Sequence, residues 1–135
     1  MKREALKVYI ETPSRRFTKG KKQGKIDVLG RIMSEANQRE HWRSVHKRQS
    51  MQKMLVKQAL YRKPKPKPPV HVILTRSGKT FIKDDDNLAR GFKSVRDFVS
   101  RWLGVDDGDT ENITFEYKQV KESKYGFYIE VKGEW

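Results

Sequence analysis

Three consecutive aspartates, Asp84 to Asp86, stand before Asn87 and a segment with helical periodicity. A second acidic pair, Asp106-Asp107, follows that segment. Adjacent carboxylates repel each other, so such a cluster usually needs a cation or a buried proton to be stable. Because the chain carries a formal net charge of +14, we expect a basic surface that holds a polyanion and an acidic pocket that holds Mg²⁺.

The local geometry of the acidic run leaves two roles open. In an extended segment Asp84 and Asp86 point to one face and Asp85 to the other, as paired metal ligands require. Asp86 also suits the N-cap of the next helix, so cap and turn residues are the alternative. The helix predicted over 88–103 has 16 residues and is about 24 Å long. Only a strand that returns beside the first can therefore bring Asp107 back to Asp84.

Composition limits the class of protein. The chain has 135 residues, of which 36% are charged and 35% hydrophobic, so we expect one domain over residues 1–135 with a modest core. It has no cysteine, which excludes disulfides and cysteine-ligated zinc. No apolar run reaches about 18 residues and no secretory signal is visible, so we expect a cytoplasmic protein without membrane contact. The run from Ser77 to Thr80 lacks the upstream glycine of a nucleotide-binding loop, and we expect no small-molecule substrate.

Charge is divided unevenly along the chain. Residues 1–83 contain 23 Lys/Arg and 5 Asp/Glu, a balance of +18. Residues 84–135 contain 8 and 12, a balance of −4. With a pI near 10.1, this division favours nucleic acid as the partner of the basic part and places the chemistry in the acidic part. The alternative is that the basic residues only solvate the surface.

Periodicity predicts the elements of the first half. Residues 6–10 alternate as a half-buried strand, and 26–33 return as extended chain. Between them lies a basic loop over 15–25, which is either a solvated loop or a phosphate-binding arm that orders on DNA. A helix is predicted from 39 to 61, and the Lys/Pro connection over 62–69 ends it because proline cannot continue a helix.

The second half adds a central strand, a helix and a hairpin. Residues 70–75 alternate as a strand, and 80–82 resume extended structure before the acidic run. The helix over 88–103 carries an apolar stripe at steps of four and three. Segments 112–120 and 124–132 are predicted to pair as a closing hairpin. We therefore expect an α+β fold in which two main helices pack on a small mixed sheet.

The order of these motifs resembles that of the RusA family of Holliday-junction resolvases. The residues that carry the resemblance are Asp-Asp-Asp-Asn-Leu at 84–88, Trp-Leu at 102–103 after an amphipathic helix, and Val-Asp-Asp at 105–107. In the family an Asp-x-Asp-Asn motif precedes the helix and an Asp-Asp pair follows it. The similarity extends over residues 84–117.

A second, looser signature of the family lies upstream. Residues 34–42 are similar to its short Asn-containing segment with Arg and aromatic residues before a basic helix. This similarity is weaker and covers 34–61. Residues 1–33 match only as a strand followed by a basic loop.

The resemblance implies a RusA-like, dimeric fold and assigns roles to the acidic residues. Asp84 and Asp86 fall on the paired metal-binding aspartates of the family, and Asp107 falls on the third. The loop before Asp107 is slightly longer than the family pattern, so Asp106 or Asp109 could take the place of the third ligand.

The resemblance also implies a catalytic cation one helical turn after the second aspartate. The family has a lysine there, whereas this chain has Arg90. Arginine can hold a phosphate but cannot donate a proton as lysine can. Lys93, three residues on and nearly on the same face of a continuous helix, could substitute for it.

The function implied is that of a Mg²⁺-dependent, structure-selective endodeoxyribonuclease that acts as a homodimer. It would resolve four-way junctions by paired symmetric nicks, using one or two Mg²⁺ per subunit or Mn²⁺ in their place, in the DNA recombination and repair of a bacterial or phage-infected cell. The alternative is a catalytically weak or inactive DNA- or RNA-binding protein on the same fold. The candidate DNA-binding residues are Arg15, Arg16, Lys19, Lys21, Lys22, Lys25, Asn37, Arg39, His41, Arg43, Lys47 and Arg48.

Overall fold

The structure, a computed structural model, describes residues 5–16, 26–28, 30–33 and 42–135. Over these residues the protein is a small mixed α+β structure with a four-stranded sheet, a separate two-stranded sheet and three helices, which confirms the expected α+β class. The elements are β1 (Ala5–Glu11), β2 (Ser14–Arg16), β3 (Ile26–Val28), α1 (Trp42–Leu60), β4 (Lys67–Gly78), α2 (Asp85–Gly91), α3 (Lys93–Leu103), β5 (Ile113–Lys121) and β6 (Gly126–Glu134). None of the described helices is both long and apolar enough to cross a membrane.

The order of strands in the main sheet is β1-β6-β4-β5. β6 pairs antiparallel with β1 and with β4, whereas β5 pairs parallel with β4, in a register that places Ile113 opposite Val70 and Lys121 opposite Gly78. The predicted closing hairpin is therefore wrong, because β4 lies between β5 and β6. The short connection between those two strands instead crosses the end of β4.

A glycine at the end of β4 makes this crossing possible. The backbone N–H of Glu122 donates to the carbonyl of Gly78 at 3.0 Å. A Cβ at Gly78 would lie 2.9 Å from the ring of Tyr125, which is closer than side chains tolerate. Tyr125 therefore packs directly on the backbone of β4, and a residue without a side chain is needed there.

One face of the sheet carries the core. Inward positions alternate along β4 at Val70, Val72 and Leu74, and along β6 at Phe127 and Ile129, all of them buried. The helices α1 and α3 cover this face and are packed against each other. Their buried residues are Arg48, Gln52, Val56 and Leu60 on α1, and Ser94, Val95, Val99 and Ser100 on α3.

The helix after the acidic run is divided in two. The sequence predicts one helix over 88–103, but Phe92 takes a φ of −93° and a ψ of 4° and separates α2 from α3. Segment 30–33 packs at this break, since a Cβ at Gly91 would lie 2.7 Å from the carbonyl oxygen of Met33. The kink thus accommodates a stretch of chain that is distant in sequence. Gly104 ends α3 in the left-handed conformation with a φ of 73°.

The N-cap of α2 is Asp84 and not Asp86 as predicted. The Asp84 carboxylate accepts a hydrogen bond from the backbone N–H of Asp86 at 2.9 Å. The helix begins at Asp85, so Asp86 lies inside α2, and the expected extended segment that was to place Asp84 and Asp86 on one face is wrong. The cap role considered in the sequence analysis is therefore real for one member of the acidic run.

Three other boundaries differ from the prediction. Residues 80–82 do not form a strand, and Ile82 is instead bonded to the side chain of Gln119 in β5. The Lys/Pro connection is shorter than 62–69, because β4 already begins at Lys67. In the basic loop, Arg15 and Arg16 belong to β2, which pairs with β3, and residues 17–25 lie outside the described residues.

Candidate functional site

The acidic run lies beyond the carboxyl end of β4. Asp84, Asp85 and Asp86 are all exposed, and none forms an ion pair with another of the residues that the structure describes. Ile82, just before the run, is anchored to β5: its N–H donates to Oε1 of Gln119 at 2.7 Å, and Nε2 of Gln119 donates to its carbonyl at 2.9 Å. The three carboxylates are thus held on a fixed segment beside the carboxyl half of β5.

Asp107 is held by Arg96 of α3. Oδ2 of Asp107 lies 3.4 Å from Nε of Arg96, an ion pair without hydrogen-bond geometry. Arg96 donates from Nη2 to the backbone carbonyl of Asp107 at 3.1 Å and from Nη1 to the hydroxyl of Tyr117 at 3.0 Å. Its guanidinium carbon also lies 4.5 Å from the ring centre of Phe115. Asp107 is therefore fixed over the amino half of β5.

The two alternatives for the third ligand are engaged in turns. Oδ1 of Asp106 accepts from the N–H of Gly108 at 2.9 Å, and Oδ2 of Asp109 accepts from Nδ2 of Asn112 at 2.7 Å. These hydrogen bonds shape the loop that leads into β5. The carboxylates of Asp106 and Asp109 thus stabilise the loop conformation in this chain.

The structure does not bring Asp107 to Asp84 and Asp86 within one chain. The returning strand β5 does lie beside β4 as required, but it runs parallel to it. In a parallel pair, the residues that precede the second strand lie at the opposite end from those that follow the first. Among the described residues, which include these aspartates, no group of three acidic or histidine side chains is close enough together to hold a metal ion.

Two candidate cations lie near the acidic run. Arg90 is exposed in the last turn of α2, four residues after Asp86, so the two side chains share one face of the helix. Lys93 is exposed at the start of α3, beyond the break at Phe92. The break ends the continuous face that was predicted to carry Lys93, which leaves Arg90 as the cation on the same helix as Asp86.

The predicted DNA-binding residues differ in their exposure to solvent, and some lie outside the described residues. Arg43 and Lys47 are exposed on α1, together with Lys53 and Lys57. Arg48, in contrast, is only 8% exposed on the core-facing side of this helix, so its side chain is not available to a surface ligand in this conformation. Arg15 and Arg16 lie in β2. The predicted contacts outside the described residues are Lys19, Lys21, Lys22, Lys25, Asn37, Arg39 and His41.

The face of the sheet opposite α1 and α3 is balanced in charge among the residues that the structure describes. Its ion pairs are Lys118–Glu116 at 3.2 Å, Lys132–Glu130 at 3.6 Å, Lys124–Glu11 at 3.7 Å and His71–Glu116 at 3.1 Å. The hydrogen bonds from His71 and from Lys118 hold the pKa of Glu116 below its usual value. Paired charges of this kind do not attract a polyanion, so the excess positive charge of the chain resides elsewhere.

Sequence reasoning missed a buried arginine at the same end of β4 as the acidic run. Arg76 is 2% exposed, and its Nε donates to the carbonyl of Ile32 at 2.8 Å. The alternation that placed Val72 and Leu74 inward also places Arg76 inward. An arginine at an inward position of a central strand was the signal that could have revealed it.

The features that bear on function are therefore the exposed carboxylates beyond β4, Arg90 beside them, and the exposed basic residues of α1. Comparison of the chain with protein-family models and with curated proteins found no match.

Proposed function

We propose that this protein is a Mg²⁺-dependent endonuclease that acts on branched DNA, four-way junctions in particular. The observation that supports this best is the run Asp84 to Asp86: three exposed carboxylates, without an ion-pair partner in the described chain, in a protein of net charge +14. Carboxylates left uncompensated in a cationic protein favour the binding of a cation. Arg90 stands one helical turn away, where it can meet the phosphate on which that cation acts.

Asp84 and Asp86 are the residues that would hold the metal. Mg²⁺ is usually bound by one or two carboxylates, with waters and substrate phosphates in the remaining positions, so this pair suits it without a third ligand from the same chain. Oδ1 of Asp84 accepts the helix-capping hydrogen bond, which leaves Oδ2 for a ligand. When bound, Mg²⁺ supplies an activated water and neutralises charge on the leaving oxygen. Arg90 stabilises the charge on the scissile phosphate.

Asp107 enters the site only if it comes from a second copy of the chain. Within one chain Arg96 holds it, and among the described residues it forms no three-carboxylate metal site with Asp84 and Asp86. A four-way junction needs two symmetric nicks, and a two-fold dimer provides two sites. In such a dimer, Asp107 of the partner subunit can face Asp84 and Asp86, and the same contact is made twice.

The exposed basic residues of α1 are the part of the proposed DNA-binding surface that lies in the described chain. Arg43 and Lys47, which are exposed, would contact phosphates, and such contacts position DNA without reading its sequence. If the protein makes about six to ten such contacts, its affinity should fall roughly 10³–10⁵-fold between 50 and 200 mM salt. An affinity that does not respond to salt would contradict this part of the proposal.

The principal experiment is cleavage of a synthetic mobile four-way junction with Mg²⁺ and with EDTA. The parent protein is expected to make symmetric nicks only with Mg²⁺. Asp86→Asn should abolish cleavage while junction binding is kept or tightened, because repulsion of the phosphate is reduced. Asp97→Asn on α3 is the matched control and should cut at the parental rate. Parental cleavage by Asp86→Asn would refute the assignment of the metal site.

Mixing two inactive variants tests whether the site is shared between subunits. If Asp107 acts across the dimer, a heterodimer of Asp86→Asn with Asp107→Asn has one site in which all ligands are native and one with both substitutions. The mixture should then regain single nicks, although neither variant cuts alone. If each site uses Asp107 of its own chain, both sites of the heterodimer carry one substitution and no nicking returns.

The second candidate function is a binding protein that has lost the nuclease activity. Two observations favour it: Arg90 replaces the lysine of the family pattern, and no three-ligand group exists in the part of the chain that is described. This protein would bind junction DNA, or structured RNA, equally well with Mg²⁺ and with EDTA. Tight binding by the parent without any Mg²⁺-dependent nick decides for this candidate.

A further inference from the structure

Arg76 lies at the carboxyl end of β4, where it is subject to the positive charge of Arg31. Arg76 is buried and donates its hydrogen bonds to backbone carbonyls, from Nε to Ile32 and from Nη1 to Thr80. Burial lowers the pKa of Arg76, and the nearby charge of Arg31 lowers it further. Within the described residues, neither arginine has a carboxylate in ion-pair distance. Their mutual repulsion is therefore not neutralised by any described group.

The side chain of Arg31 rests on a supported aromatic ring. Its guanidinium carbon lies 4.6 Å from the ring centre of Tyr125, and that ring packs on Gly78. The backbone carbonyl of Tyr125 accepts from the N–H and the hydroxyl of Thr12, at 3.1 and 2.9 Å. The backbone carbonyl of Arg31 accepts from Nε2 of Gln52 at 3.0 Å. Both partners of the stack are thus fixed by hydrogen bonds to other elements.

Arg31 retains unused hydrogen-bonding capacity. Its Nε is buried and has no hydrogen-bond partner among the described residues, although the residue as a whole is half-buried. A guanidinium presents its N–H donors in a planar fork that can bind phosphate by two parallel hydrogen bonds, and no described residue accepts a hydrogen bond from the terminal nitrogens of Arg31. An anion at this point would also relieve the repulsion between the two arginines.

The arginine pair lies at the same end of the sheet as the acidic run. Thr80, which accepts from Arg76, precedes Asp84 by four residues, so the two are at most about 14 Å apart along the chain. The segment that carries Arg31 also packs against α2 at Gly91. A DNA strand that presents a phosphate to Asp84 therefore approaches the end of the sheet at which Arg31 lies.

We propose that Arg31 binds a backbone phosphate of the DNA next to the scissile one, with Tyr125 and Arg76 as the residues that hold its guanidinium in place. This inference rests on the proposed function, since it takes branched DNA as the ligand. Arg76 is a positioning residue, because its own donors are used by the carbonyls of Ile32 and Thr80.

The test is the salt dependence of binding to a mobile four-way junction in EDTA, where no cleavage occurs. Loss of one phosphate contact lowers the slope of log affinity against log salt by about 0.9. Arg31→Gln should show this change, so that its loss of affinity is about 3.5 times larger at 50 mM than at 200 mM salt. Lys132→Gln, on the balanced face of the sheet, removes the same charge and should leave the slope unchanged.

Each result either supports the inference or overturns it. An unchanged slope for Arg31→Gln overturns it, and so does an equal decrease in Lys132→Gln, since that would indicate a general effect of charge. If Arg31→Gln does not fold, as thermal unfolding would show, Arg31→Lys replaces it. Lysine keeps the charge but not the planar set of guanidinium donors. The slope of log affinity against log salt should therefore remain, while the affinity falls several-fold. An affinity of Arg31→Lys equal to that of the parent overturns the inference.

The proposed function fails separately from this inference. If the parent protein does not bind the junction at any salt concentration, both the proposed function and the role of Arg31 are refuted. If the parent binds with a steep salt dependence and Arg31→Gln keeps that slope, only the role of Arg31 is refuted.

Discussion

Removal of the guanidinium of Arg96 should destabilise the protein substantially. We choose Arg96→Met, because methionine keeps an unbranched apolar side chain over the ring of Phe115, on which the guanidinium lies at 4.5 Å. The substitution removes the hydrogen bonds to the hydroxyl of Tyr117 and to the carbonyl of Asp107, at 3.0 and 3.1 Å. It also removes the ion pair with the Asp107 carboxylate at 3.4 Å.

The expected loss follows from these three contacts. Hydrogen bonds with a charged partner contribute about 1.5–3 kcal/mol each when buried. The Arg96 side chain is 34% exposed, so water replaces part of each contact, and the ion pair adds at most about 1 kcal/mol. We therefore expect a loss of about 2–4 kcal/mol in the free energy of unfolding. For a chain of this size that corresponds to a decrease in Tm of about 6–20 °C.

Thermal and urea unfolding, followed by circular dichroism, measure this loss. Arg101→Met is the matched control on the same helix; its side chain is exposed, and it should lose at most about 1 kcal/mol through the helix dipole. Asp107→Asn should also lose no more than about 1 kcal/mol, because the carbonyl contact to Arg96 remains. Equal stability of Arg96→Met and Arg101→Met would refute the anchoring role of Arg96. A large loss of stability in Asp107→Asn would refute the assignment of most of the stabilisation by Arg96 to its two hydrogen bonds and little of it to its ion pair.

Three further predictions concern the N-cap of α2, the glycine at which the β5–β6 connection crosses β4, and Glu116 on the sheet face with balanced charge. Asp84→Ala should lose about 0.5–2 kcal/mol in urea unfolding, whereas Asp84→Asn, which still caps α2, should lose little; equal losses would contradict the cap. Gly78→Ala should lose about 1–3 kcal/mol in thermal unfolding because its Cβ meets the Tyr125 ring at 2.9 Å, and no loss would contradict that contact. The pKa of Glu116 is lowered in the folded state, chiefly by the His71 hydrogen bond, so its stabilising effect is present above the ordinary value of 4.5 and is lost as the pH falls through the lowered pKa. Glu116→Gln should therefore be less stable than the parent at pH 7, with a difference that closes in acid; a difference independent of pH between 7 and 2 would contradict this.

Local patterns predicted the positions of most elements. The alternation from Val70 to Thr75 indicated a central strand, and β4 extends from Lys67 to Gly78 around it. The apolar stripe from Leu88 to Leu103 indicated a helix with one buried face, and its members Leu88, Phe92, Val95 and Val99 are indeed in the core. These signals are reliable because the direction of a side chain follows from the period of its own element.

Strand order could not be predicted in the same way. Segments 112–120 and 124–132 are joined by a short connection, which ordinarily indicates a hairpin. In the folded chain β4 is inserted between them, and the only local sign is Gly78, where the connection crosses. The insertion depends on β4 pairing with strands from two distant parts of the chain, and no period within either segment reports that.

The candidate site, like the fold, was only partly predictable from the sequence. The position of Asp84 and Asp86 at the start of a helix was readable from their own neighbours. The ion pair of Asp107 with Arg96 and the contact of Arg31 with the ring of Tyr125 could not be predicted, because each joins residues of different elements.

The amino-acid sequence alone determined the α+β class, the excess of positive charge, the acidic run and the cations that follow it, because each of these depends on residue type and on spacing within one element. The tertiary structure decided that β5 runs parallel to β4, and thereby that Asp107 lies away from Asp84 and Asp86 in a single chain. It also decided that Arg76 is buried at the end of β4, with its Nε bonded to the carbonyl of Ile32 from a distant segment. The physical reason is that strand direction and side-chain encounters across the sheet are selected by the burial of the whole apolar face, to which residues far apart in the chain contribute together.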